Sequence, residues 1–220
     1  MRRWLLLQAA GLTLAGLAVW FLLVRSGLDL RISALAYSPE QRAFPLRDAW
    51  WFAVVGHSGL KYATVTLWCA LLGVATAAAR WRRIALHAWV GMTLAAAAVA
   101  GLRELSAHSC PWDLAQFGGA AEWFPLLGKV PAEPGSGRCL PAAHASSGFA
   151  LFALYFALRD AYPRLARATL ALAWVVGLAA GAVQVVRGAH FASHALWTAW
   201  IAWALNVGLY ALVRRLMPPG

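Results

Sequence analysis

Six apolar runs, separated by short groups of arginine, constrain this chain more than any other feature. They are Trp4 to Val24, Tyr62 to Ala79, Ile84 to Leu102, His144 to Leu158, Ala168 to Val186 and His194 to Val213. A helix needs about 20 apolar residues to cross the hydrocarbon of a bilayer. The fourth run is short and must borrow a turn at either end. Of the 220 residues 62% are hydrophobic and 12% charged, against roughly 25% charged in a soluble domain. The expected fold class is an all-α membrane protein, a six-transmembrane-helix bundle with interfacial or periplasmic loop helices. One domain is expected over residues 1–220.

The arginines give the orientation. Arg2 and Arg3 precede the first run. Arg80, Arg82 and Arg83 join the second to the third, Arg159, Arg164 and Arg167 the fourth to the fifth, and Arg214 and Arg215 follow the sixth. With six spans all of these fall on one side, which the positive-inside rule makes cytoplasmic. The expected location is the bacterial inner (cytoplasmic) membrane, multi-pass, with both termini in the cytoplasm. The net charge of +11 invites a nucleic-acid partner. That is rejected, because the cations lie between apolar runs and form no basic face. The partners expected are the bilayer and a small substrate; oligomeric state is unreadable. The first run is too long for a secretory signal and lacks a convincing cleavage site.

Three connections fall to the other side. Residues 25–61 carry Trp50, Trp51 and Phe52 and are expected to lie partly on the interface, with a short helix within 25–55. Residues 103–143 hold many prolines and glycines and read as mostly loop. Residues 187–193 form a tight turn. Cys69 lies within a span and reads as a small apolar filler. Cys110 and Cys139 share the long connection, and an oxidising periplasm would permit a disulfide between them. The alternative is two free thiols, because sequence cannot supply the geometry.

Polar residues concentrate where these connections meet the spans: Arg103 to Asp113, Gly137 to Gly148, and Arg187 to His194. Ionisable groups near the bilayer are expensive, so a functional reading is the default. Arginines can clamp phosphate oxygens bidentately. Pro141 suits the first turn of the fourth helix, whose N-terminus would aim N–H groups at an anion. One histidine can attack phosphorus and a second can protonate the leaving oxygen.

The order and spacing of these blocks resemble the type 2 phosphatidic acid phosphatase (PAP2) superfamily over roughly residues 50–210. That family shows Lys-x6-Arg-Pro, then Pro-Ser-Gly-His, then Ser-Arg-x5-His-x3-Asp. Arg103 to Pro111 resembles the first motif in spacing, Pro141-Ala142-Ala143-His144 the second, and Gly188 to Ser193 the third. The resemblance implies His190 as the nucleophile that forms a phosphohistidine and His144 as the general acid. It implies Arg103 as a phosphate contact, with the backbone around Ala142 and Ala143 near the phosphate. It also implies a metal-independent reaction with no cofactor, on a lipid phosphate or pyrophosphate at the periplasmic face.

Several positions depart from the pattern. Cys110 and Gln184 stand where the first and third motifs have Arg. His194 stands at the orienting Asp, and Ala142 and Ala143 replace Ser and Gly. Arg138 and Arg187 could replace the lost phosphate ligands. His194, Glu104 or Asp113 could orient His190. Alternatively, a catalytically impaired chain binds or transports a lipid phosphate. An intramembrane serine protease built on Ser146 or Ser147 would leave the arginines without a role. A metal or haem centre on His144, His190 and His194 lacks a carboxylate or thiolate partner at fitting spacing. His57, His87 and His108 read as interfacial polar residues and Lys61 and Lys129 as solvated. Trp112, Trp123 and Trp197 read as interface anchors, and Ser146 and Ser147 as bonded within their helix.

Overall fold

The protein is seen here as a computed structural model that describes residues 1–217, with residues 55–57 described by their backbone alone. His57 therefore lies outside the described residues. Helix α1 (Arg2–Val19) runs on through a π-helical turn, Trp20–Arg25. A short helix α2 (Leu28–Ala34) follows, and a π-helical stretch, Trp51–Gly59, leads into α3 (Leu60–Ala77). Then come α4 (Arg82–Glu104), α5 (Ala143–Phe149), α6 (Phe152–Leu158), α7 (Pro163–Val186) and α8 (Ala192–Leu216). Among the described residues there is no strand beyond two isolated bridges.

Among the described residues, five helical segments are long and apolar enough to cross a membrane: Arg2–Arg25, Leu60–Ala77, Arg82–Glu104, Pro163–Val186 and Ala192–Leu216. The expected fourth span does not reach that length. It is the pair α5 and α6, broken at Ala150 and Leu151, where Leu151 N–H bonds to Gly148 O at 3.1 Å, three residues back. A close crossing lies just before this point. A Cβ on Gly148 would collide with the backbone of Gly177 on α7, so only glycine permits this approach. The expected position of Pro141 is also corrected. It lies before Ala142, the residue that caps α5, and not in the first turn.

Helix spacing explains the core. On α4, Ala85, Ala88, Met92, Ala95 and Val99 are buried, at steps of three and four that mark one helix face. Phe149, Phe152 and Phe156 are at most 1% exposed and fill the centre. Phe152 packs on Trp174 of α7 at 5.3 Å and on Trp203 of α8 at 5.1 Å. Helix α1 buries no residue and is held by polar anchors. The indoles of Trp200 and Trp203 donate to Leu12 O and Gln8 Oε1, each at 2.8 Å.

The arginine-bearing ends gather at one end of the bundle. The Arg159 guanidinium lies over Trp4 at 4.9 Å and Tyr210 at 4.8 Å, and Arg214 reaches Asp160 at 3.3 Å. Arg82, Arg83, Arg164, Arg167, Arg214 and Arg215 sit inside helix termini and not in the connections. Arginine is a good helix former whose stem can lie along apolar surface. At the opposite end the connections build a small core from Phe44, Leu114, Phe117, Ala121 and Phe191. Asp29 of α2 is buried there and accepts from Ser193 N–H at 3.0 Å, capping α8. That burial pushes the Asp29 carboxyl above its usual range.

Candidate active site

Four helix ends meet beside this small core. The end of α4 brings Arg103, the start of α5 brings His144, the turn after α7 brings Arg187 and His190, and the start of α8 brings His194. The turn is set by Gly188 at φ +70°, a left-handed conformation that a side chain resists. The Phe44 ring also leaves no room for a Cβ there. Phe191, 3% exposed, pins the other side of His190 into the loop core. Trp112 N–H donates to Gly188 O at 3.0 Å and ties the long connection to the same turn.

The rings of His144 and His190 lie 6.5 Å apart, centroid to centroid, and those of His190 and His194 lie 5.8 Å apart. His190 is 6% exposed, whereas His144 and Arg103 are half-buried and open the site on their side. The Nδ1 atom of His190 lies 2.8 Å from the carbonyl oxygen of Cys139. A carbonyl only accepts, so Nδ1 carries the hydrogen and Nε2 keeps its lone pair. The His194 ring packs edge-on against that of His190. Its Nδ1 is buried without a hydrogen-bond partner among the described residues. Burial first, then the neighbouring His144, pushes the His190 imidazole down to about 3. It is therefore neutral near pH 7, with a lone pair free on Nε2.

The cations are placed unequally. Arg103 and Arg187 both lie close enough to oppose a charge on His190. Arg103 anchors itself by donating from Nε to Arg138 O at 2.7 Å. Arg187 donates from Nε to Arg47 O at 2.7 Å and from Nη1 to Gln184 Oε1 at 3.2 Å. Burial lowers its pKa, with Asp48 opposing that shift, but a guanidinium stays charged. Arg138 is different. Its side chain turns out to Glu104 at 3.3 Å, and its carbonyl, not its guanidinium, serves the site. Glu104 is spent on that pair, and Asp113 accepts from Ser136 at 3.3 Å. His108 stacks on Phe124 at 4.2 Å, with its pKa lowered by burial.

Cys110 and Cys139 are joined in a disulfide, Cα to Cα 5.2 Å. Ligand atoms of Cys110, Cys139 and His190 lie within 4.8 Å of one another. The sulfurs are bonded to each other, so neither is a thiolate that could hold a metal. No other histidine, cysteine or carboxylate trio gathers at metal spacing among the described residues. Ser146 gives its hydroxyl to Ala143 O within α5. Two partnerships were invisible to motif reasoning. One is the Cys139 carbonyl, a backbone atom. The other is the support that Gln184 gives Arg187, whose signal was its three-residue helical spacing.

No curated protein and no solved structure gives a significant match. The family model of the PAP2 superfamily matches residues 84–218, which contain Arg103, His144, Arg187, His190 and His194. The chain belongs to the PAP2 superfamily.

Proposed function

We propose that the protein removes or transfers the phosphate of a lipid phosphate or pyrophosphate through a phosphohistidine on His190. The observation that carries this reading is the pair of imidazoles 6.5 Å apart, one with Nδ1 already engaged at 2.8 Å. That separation leaves room for a phosphoryl group between them. Nε2 of His190 attacks phosphorus, and the bond from phosphorus to the lipid oxygen breaks. Protonated His144 gives its proton to that oxygen, and the lipid alcohol leaves, or the lipid monophosphate where the substrate is a pyrophosphate and the bridging P–O bond breaks. Neutral His144 then takes a proton from water, which attacks phosphorus, releases phosphate and frees His190. Arg103 and Arg187 oppose the charge that builds on the phosphoryl oxygens.

In this reading α5 and α6 together make a sixth crossing. The arginine-rich end then faces the cytoplasm of a bacterium with both termini, and the site faces the periplasm at the outer leaflet. The test is phosphate release by pure protein in mixed micelles. The panel is phosphatidic acid, phosphatidylglycerol phosphate, undecaprenyl pyrophosphate and lipid A. Wild type should release phosphate from at least one, and His190→Ala from none. Equal release by both removes the mechanism. Release by neither, with headgroup affinity intact, favours a binding or transport protein.

A further inference from the structure

We infer that the Cys110–Cys139 disulfide is a positioning element of the active site. It holds the Cys139 carbonyl where it fixes the His190 Nδ1–H and thereby aims Nε2 at phosphorus. This rests on the phosphohistidine reading.

A nucleophilic imidazole needs its rear N–H held, or the ring rotates and its tautomer is lost. Carboxylates commonly do this. Here the groups facing Nδ1 are the Cys139 carbonyl at 2.8 Å and the Cys139 sulfur at 3.3 Å. A carbonyl can replace a carboxylate only if its direction is fixed by its own backbone. The segment before it is unusual, since Gly137 and Arg138 both have positive φ, +63° and +59°. It is laced to the end of α4 and the residues beyond. Arg138 N–H donates to Ser106 O at 2.7 Å, Gly137 N–H to Ser109 Oγ at 3.0 Å, and Cys139 N–H to His108 O at 3.0 Å. The disulfide closes this lacing at the residue that presents the carbonyl, and Cys139 is 0% exposed.

The other half of the hydrogen bond is held independently. Gly188 and Phe191 lock the His190 turn against the loop core, as described above. Two separately anchored segments therefore meet at one N–H···O contact. Positions 110 and 139 lie 29 residues apart in sequence, and without the bridge no covalent tie joins them and the carbonyl depends on these hydrogen bonds alone for its register.

The test uses full-length protein in mixed micelles with the best lipid phosphate. Dithiothreitol supplies two electrons and two protons to the bridge, yielding two thiols while closing into its own cyclic disulfide. Alkylation followed by mass measurement scores the cleavage. Reduction should lower kcat on the order of 10²–10⁴-fold, the scale of losing an orienting partner, with KM changed by less than about threefold. Acid-labile phosphoenzyme trapped from oxidised protein should carry phosphate on Nε2 alone. After reduction it should be scarcer or spread onto Nδ1.

The double variant Cys110→Ser/Cys139→Ser should match the reduced protein and ignore dithiothreitol. Adding His194→Asp to it offers Nδ1–H a carboxylate one helical turn on, and should recover kcat at least about tenfold. Scaffold damage alone would not be rescued that way. Undiminished kcat and unchanged Nε2 selectivity after proven cleavage would overturn the inference. If oxidised wild type releases no phosphate from any lipid, the phosphatase reading itself fails and takes this inference with it.

Discussion

The Arg187 guanidinium donates to the side-chain oxygen of Gln184, one turn earlier, at 3.2 Å, and to the carbonyl of Arg47 at 2.7 Å. The guanidinium is thus held from two sides, by a side chain of its own helix and by the backbone of the connection before α3. Arg187→Ala should lower kcat/KM about 10²–10³-fold, the scale of removing a transition-state donor. Gln184→Leu keeps the charge but loosens it, so a loss nearer tenfold is expected. Steady-state phosphate release from the two variants checks the order. A larger loss in Gln184→Leu than in Arg187→Ala would show that Gln184 has a role of its own.

Arg103 and Arg138 look equivalent in sequence and are not equivalent in space. Arg138 spends its guanidinium on an exposed pair with Glu104, which is worth about 0–1 kcal/mol. Arg138→Ala should therefore keep kcat/KM within about threefold, because its useful atom is a carbonyl that alanine retains. Arg103→Ala should lose about 10–100-fold, as expected for a hydrogen bond to a charged group. Comparable losses in the two variants would place the Arg138 side chain on the phosphate after all.

Much of this was legible because bilayer helices announce themselves by long apolar runs. The run from Ile84 to Leu102 lies within α4, and the helix extends beyond it to Arg82 and Glu104 because charged residues such as arginine are good helix formers. The break at Ala150 was not legible. Nor was the meeting of Gly148 with Gly177 just before it, which no local pattern encodes. The π-helical turn at Trp20–Arg25 was equally silent, because tertiary packing decides it. His144 and His190 were readable from motif spacing. What holds His190 was not, because a carbonyl carries no letter in the sequence. Nor was the Asp29 cap on α8, since 164 residues separate the partners.

Gly188 is where backbone geometry and packing make the same demand. At φ +70° it is strained for any side chain, and the Phe44 ring occupies the space. Gly188→Ala should lower stability by more than about 1 kcal/mol and depress activity further than that loss explains, since His190 is two residues on. Thermal unfolding followed by tryptophan fluorescence, with phosphate release measured well below the midpoint, separates the two effects. Adding Phe44→Ala should relieve the collision and leave the φ strain, giving partial recovery of the midpoint.

The buried His190 makes stability depend on pH with a definite sign. Its folded pKa is about 3, below the 6.5 of an exposed imidazole. As pH falls below about 6.5 the unfolded chain gains a proton that the folded protein refuses until near 3. Stability is therefore fullest above 6.5 and is lost on acidification. At pH 5 this amounts to about 2 kcal/mol from His190 alone. His108, also lowered by burial, adds in the same direction, while the raised Asp29 works the other way. Comparison with His190→Gln therefore isolates the one residue better than the wild-type slope does. Between pH 7.5 and 5 the wild-type midpoint should fall further than that of the variant. Parallel curves would mean that His190 takes up its proton while folded, and would deny it the sealed, neutral setting that the proposed nucleophile requires.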